Sequence, residues 1–161
     1  HLLSITHSQM LSEQGKWAEA AEILENQQRI YPERRDLRLY LAEAYTNSNQ
    51  PTKAQTLLKP LTEQQPSDRY AWQSLQLANE KLAKTTTSPQ LANIATINAL
   101  RYRSHDQLWS GRYERALTSL TQAKQLAENM QNTDQASSAR PLLANINAEI
   151  KAVKTAKDFE P

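Results

Sequence analysis

Few side chains in this sequence are suited to chemistry, and their spacing limits what they can do. The chain has no cysteine and three histidines: His1, His7 and His105. A helical metal site wants ligands on one face, such as a pair at i, i+4, plus a further His or carboxylate. His1 and His7 are six apart and His105 is remote, so they read as surface or packing residues and no metal is expected. Ser, Asp and Glu are abundant, but none stands in a nucleophile elbow. Two glycines in 161 residues nearly exclude a phosphate-cradling loop. There is no enzyme signature, so neither hydrolysis nor a cofactor is expected. The densest reactive cluster is basic: Arg101, Arg103, His105, Arg112 and Arg115, interleaved with Tyr102, Trp109 and Tyr113. It could stack bases and hold phosphates. Alternatively the aromatics pack a helical hairpin and the arginines pair with acids. The net charge of +2 favours the second reading.

These residues must be positioned by helices. Ala, Leu, Gln, Glu and Lys are plentiful, and no β-branched alternation of useful length occurs. A hydrophobic content of 39% with one Phe is low for a deep core. It suits a solenoid, in which each repeat buries only the surfaces facing its neighbours. No apolar run of about 18 residues exists to span a bilayer. The start, His1-Leu2-Leu3-Ser4, lacks the basic and apolar segments of a signal peptide, so any targeting signal is expected upstream. The lack of cysteine rules out disulfides and fits reducing or oxidising compartments alike.

Ala20, Leu24 and Pro32 recur 34 residues later as Ala54, Leu58 and Pro66, and Leu3 recurs as Leu37. A 34-residue period with small–x3–large spacing and a terminal proline resembles the tetratricopeptide repeat (TPR). Leu41-Ala42-x-x-Tyr45 supplies the first-helix half of that pattern, and Trp72-x-x-Leu75 opens a third copy. We expect an all-α, right-handed TPR-like α-α superhelix of about eight helices. It should form a single TPR domain over 1–161, with repeats at about 1–34 and 35–68. An irregular third repeat should cover 69–96 and a fourth 97–130, followed by a capping helix at about 138–157. Gly15 and Asn49 should supply left-handed turns. Pro51 suits a first helical turn. Pro60, inside the same helix, should cost a backbone bond and cause a kink. Asp68 or Ser67 should cap the fifth helix. The third repeat is irregular because the next small–x3–large signal, Ala116…Leu120, falls six residues short of two periods after Ala54.

In a TPR hairpin the first helices line the concave face. The register places Leu2, Ile5 and Gln9 there, then Asp36, Leu39, Tyr40 and Glu43, then Tyr70, Gln73 and Leu77. Aromatic and aliphatic residues beside polar ones suit a peptide or helix partner. Ordinary solvent exposure is the competing reading. The carboxylate-holding Lys, Arg and Asn of chaperone-binding TPRs are absent, since their positions carry Ile5, Gln9, Tyr40, Tyr70 and Ser74.

From Leu37 onward the chain resembles one family more closely. Leu41-Ala-Glu-Ala-Tyr45, Gln50-Pro51-x-x-Ala54, Leu57-Leu-Lys-Pro-Leu61 and Pro66-x-Asp68 are similar to the C-terminal TPR region of BepA-type (YfgC-type) periplasmic zinc metalloproteases. Asn98-Ala-Leu-Arg-Tyr-Arg103, Leu108-Trp-Ser-Gly111, Ala123-Lys-Gln-Leu-Ala127 and the terminal Asp158-Phe-Glu-Pro161 are similar too. The resemblance implies a periplasmic protein of a Gram-negative envelope that assembles or degrades outer-membrane β-barrel proteins. Its zinc would sit in an upstream catalytic domain carrying HExxH. That motif is absent here, so the resemblance implies the docking half of a protease, inactive by itself. Its partners would be β-barrel clients, assembly machinery or its own protease domain, with no nucleic acid and no membrane span. The alternatives are a free-standing TPR adaptor, pilotin-like or cytosolic, and an RNA-binding helical repeat.

Overall fold

A computed structural model describes residues 2–160, apart from the Leu2 side chain. His1, the Leu2 side chain and Pro161 therefore lie outside the described residues. Every regular element among the described residues is α-helical, and there are eight: α1 (Leu2–Glu13), α2 (Trp17–Ile30), α3 (Arg35–Asn47), α4 (Pro51–Gln64), α5 (Arg69–Thr85), α6 (Pro89–Trp109), α7 (Tyr113–Gln131) and α8 (Ala136–Asp158). Two compact units result, residues 1–66 and 67–161.

In the first unit α1 packs on α2, α2 on α3 and α3 on α4. Small residues let these helices approach closely: Ala20, Ala42, Ala44 and Ala54 have no exposed surface. Leu24, Leu37, Leu41 and Leu58 fill the space between them, each 2% exposed or less. Ile5 is buried in the same core, beside Leu11 and Leu24. This corrects its expected place on the concave face. Its side chain is drawn inward because it packs with α2 and α3, leaving Ser8, Gln9 and Ser12 toward the opening.

The hairpin turns share one device. Gly15, Asn49 and Gly111 have φ of +75°, +63° and +75°. After each, an N–H reaches back five residues to a helical carbonyl: Lys16 to Leu11 at 2.8 Å, Gln50 to Tyr45 at 2.7 Å and Arg112 to Gln107 at 2.8 Å. This is the Schellman closure, which satisfies carbonyls left open at a helix end. Pro51 occupies the first turn of α4, and the helix continues through Pro60.

In the second unit α5 packs on α6, α6 on α7 and α7 on α8, and α6 also touches α8. Asp68 caps α5 by accepting from the N–H groups of Tyr70 and Ala71. Ser88 caps α6 by accepting from Leu91. The core runs through Ile97, Leu120, Ala123, Ala127, Ile146 and Val153, all 2% exposed or less. Only Thr86–Ser88 separate α5 from α6, because α5 extends to Thr85 and Pro89 starts α6. No described helix is long and apolar enough to cross a membrane.

Candidate functional site

The first unit opens into a groove of about 480 Å³ between α1, α2 and α3. Ser8, Gln9, Ser12 and Glu13 line it from α1, Trp17 and Leu24 from α2, and Tyr40 and Glu43 from α3. The serines are occupied: Ser8 Oγ donates to the Ile5 carbonyl at 2.7 Å and Ser12 Oγ to the Ser8 carbonyl at 2.9 Å. Gln9, Glu13, Tyr40 and Glu43 are the remaining polar lining. Tyr40 is 38% exposed, and Leu24 forms the buried floor. An aromatic wall over an aliphatic floor, rimmed by two carboxylates and an amide, can seat an apolar side chain and accept from backbone N–H groups or a basic residue.

Of the six residues expected in the trough, Tyr40 and Glu43 line this groove. Leu39 lies half-buried on α3 outside its lining. Tyr70, Gln73 and Leu77 belong to the second unit. Tyr70 and Leu77 are 73% and 57% exposed. Gln73 is committed elsewhere, donating from Nε2 to Asp106 Oδ1 at 3.1 Å. Among the concave-face residues, Asp36 is bound to Arg34 by paired hydrogen bonds of 3.1 and 2.5 Å.

The basic cluster divides. Arg101 Nε bonds Glu149 Oε1 at 2.6 Å, with both side chains largely buried. Arg103, Arg112 and Arg115 instead line a polar cleft of about 440 Å³ with Asp106, Gln107 and Ser119. Of the interleaved aromatics, Tyr102 is partly buried and lies over Trp72, with ring centroids 6.0 Å apart. Tyr113 packs on the second core, while Trp109 is 48% exposed.

Sequence spacing missed the network behind Arg101. The His105 ring stacks on Trp72, with centroids 4.0 Å apart and planes 9° from parallel. His105 Nε2 lies 2.6 Å from Glu149 Oε2. An ionised carboxylate only accepts, so this nitrogen carries the proton. Burial pushes the Glu149 carboxyl up, but the hydrogen bond from His105 and the charge and hydrogen bond of Arg101 outweigh it and hold the group below its ordinary value. Glu149 is 44 residues from His105, too far for pattern reading to pair them. The one available signal was a carboxylate amid the apolar stripe of the last helix. His7 is exposed on α1. Among the described residues, no three His, Asp or Glu side chains converge as a metal site would require.

Residues 11–78 match the family model described as tetratricopeptide repeat. That stretch runs from late α1 into α5. A comparison with curated proteins found no match. The fold is all-α and TPR-like, and TPR repeats generally mediate protein–protein interaction.

Proposed function

We propose that this TPR chain is a protein-binding scaffold whose first-unit groove receives an extended or helical segment of a partner. The observation that carries this reading is the groove: Tyr40 and Trp17 beside the Leu24 floor, with Gln9, Glu13 and Glu43 at hydrogen-bonding positions. An apolar side chain of the partner would contact the aromatic wall. Its backbone N–H groups, or a basic side chain, would meet the carboxylates. Aromatic anchors of this kind carry most of the energy in protein interfaces.

The partner class we propose is that of the envelope: unfolded outer-membrane β-barrel clients, the machinery that assembles them, or a protease domain on the same polypeptide. Support comes from the motifs between about 37 and 161 that resemble the TPR region of BepA-type metalloproteases. In this reading the chain docks and does not hydrolyse, and it works in the periplasm. A denatured β-barrel outer-membrane protein, diluted from urea into labelled TPR chain, tests the binding. Tyr40→Ala should weaken association by about 2 kcal/mol, the range of an interface anchor, without loss of helical signal. Equal binding by the variant would remove the groove from the interface. For the envelope assignment, the full-length gene product should carry an HExxH motif upstream of this region. A full-length product without one would favour a free-standing adaptor.

A further inference from the structure

The second unit offers a binding surface of opposite character, and it stands whether or not the first-unit reading holds. Two clefts adjoin across α5, α6 and α7. The cationic one, about 440 Å³, is walled by Arg103, Arg112 and Arg115. Its neighbour, about 390 Å³, is lined on the apolar side by Ala83, Ala99 and Leu100. Gln76 and Arg103 line both, so the clefts form one continuous groove.

Among the described residues no carboxylate pairs with Arg103, Arg112 or Arg115. The arginines around them are matched, Arg69 to Asp106 at 2.9 Å and Arg101 to Glu149 at 2.6 Å. Asp106 lines the cationic cleft, but Arg69 and Gln73 already share its Oδ1. Gln107 lines the cleft with only 9% of its surface exposed. Its carboxamide oxygen is held by Ser119 Oγ at 2.8 Å, which leaves the NH2 group as a donor on the lining. The groove thus presents guanidinium and amide donors at one end and, at the other, methyl and methylene surface flanked by Glu80 and Lys84.

We propose that this groove binds an acidic segment of a partner protein, one with carboxylates next to apolar residues. A guanidinium fork matches a carboxylate in two parallel hydrogen bonds. One exposed pair contributes little, so the site depends on three arginines converging and on burial of the adjoining apolar side chains. A nucleic-acid backbone fits less well. It has no group for the Ala99–Leu100 end.

The probe is a fluorescein-labelled peptide of two leucines followed by alternating Asp and Glu. Its Asn/Gln isostere and a single-stranded oligonucleotide of equal charge serve as comparisons. Arg103, Arg112 and Arg115 are exposed, so Arg103→Gln/Arg112→Gln/Arg115→Gln should keep its far-UV circular dichroism. That variant should bind the acidic peptide roughly tenfold more weakly. Removing two other exposed charges with Lys151→Gln/Lys154→Gln should leave affinity unchanged. Replacing the leucines by serine should weaken binding as well. The proposal is overturned if the acidic peptide does not bind, if the triple variant or the isostere binds as well as the original pair, or if the oligonucleotide binds more tightly.

Discussion

The two units are built by the same device and finished in opposite ways. Residues 1–66 carry seven Lys or Arg against eight Asp or Glu, and residues 67–161 carry twelve against nine. The first unit keeps carboxylates at its groove, Glu13 and Glu43, with Tyr40 between them as the aromatic element. In the second, Glu149 lies among the helices, paired with Arg101 and hydrogen-bonded by His105, while three unmatched arginines stay on a cleft. Small residues at helix crossings and a left-handed turn residue specify the hairpin in both. The surface chemistry is carried by other positions and is free to change sign. A repeat architecture can therefore present unlike binding faces without altering its core.

The sharpest test of this contrast is the buried pair of the second unit. Glu149→Gln would strand the Arg101 guanidinium, at a cost of about 3 kcal/mol. Hydrogen exchange should show faster opening of α6 and α8 with α1–α3 unchanged. A neutral result would mean that the network is ornamental. The pH dependence follows in sign. The folded Glu149 carboxyl sits below its ordinary value, so its stabilisation is complete above the ordinary carboxylate range and is lost as pH falls through the folded value. The second unit should weaken on acidification, and less so in Glu149→Gln.

A smaller effect should come from Ala54→Leu in the first unit. Ala54 has no exposed surface, so extra methylenes overpack the crossing by about 2 kcal/mol. Unchanged thermal stability would put the repeat register in error. Next come the turns the units share. Gly15 and Gly111 both have φ of +75° with open space where a Cβ would go, so each alanine substitution should cost about 1 kcal/mol of backbone strain. If the two costs differ widely, the turns are not equivalent. The smallest expected effect belongs to Tyr45, whose hydroxyl donates to Glu25 Oε1 at 2.8 Å. Tyr45→Phe should cost about 0.5–1 kcal/mol. Burial, followed by the Glu25 bond and charge, pushes the Tyr45 phenol up to about 12. This contribution is present below the ordinary tyrosine range and lost as pH rises through about 12. Burial pushes the Tyr102 phenol of the second unit up as well, so ultraviolet titration of Tyr45→Phe should lose the late-ionising phenol of the first unit and keep that of the second.

Much of the fold was legible because the hairpin imposes types at fixed offsets. Ala20, Ala54 and Ala116 must be small where helices cross, and all three have no exposed surface. Gly15, Asn49 and Gly111 must adopt positive φ, and they do. The end of α5 was less legible, since Thr85 is exposed and its hydroxyl donates to the Lys81 carbonyl at 2.8 Å, a bond that residue type alone does not announce. Ile5 was placed on the wrong face because one helix's periodicity does not say which neighbour its stripe will meet. Of the residues that register puts on the first helices, Tyr40 and Glu43 line the first-unit groove, whereas Gln73 is drawn to Asp106, 33 residues away. The splitting of the basic cluster was equally unreadable. Arg101 and Arg103 look alike in sequence, and only α8 decides that one meets Glu149 and the other does not.

The central claim is that the first-unit groove seats a segment of a partner protein, and a photo-crosslinking amino acid placed singly through the full-length protein in cells tests it most directly. Positions Gln9, Tyr40 and Glu43 should give discrete adducts, with few from Glu22 or Thr56, which are exposed outside the groove lining. Adducts confined to Arg101–Arg115, with none from Gln9, Tyr40 or Glu43, would contradict the claim and make the second unit the docking surface.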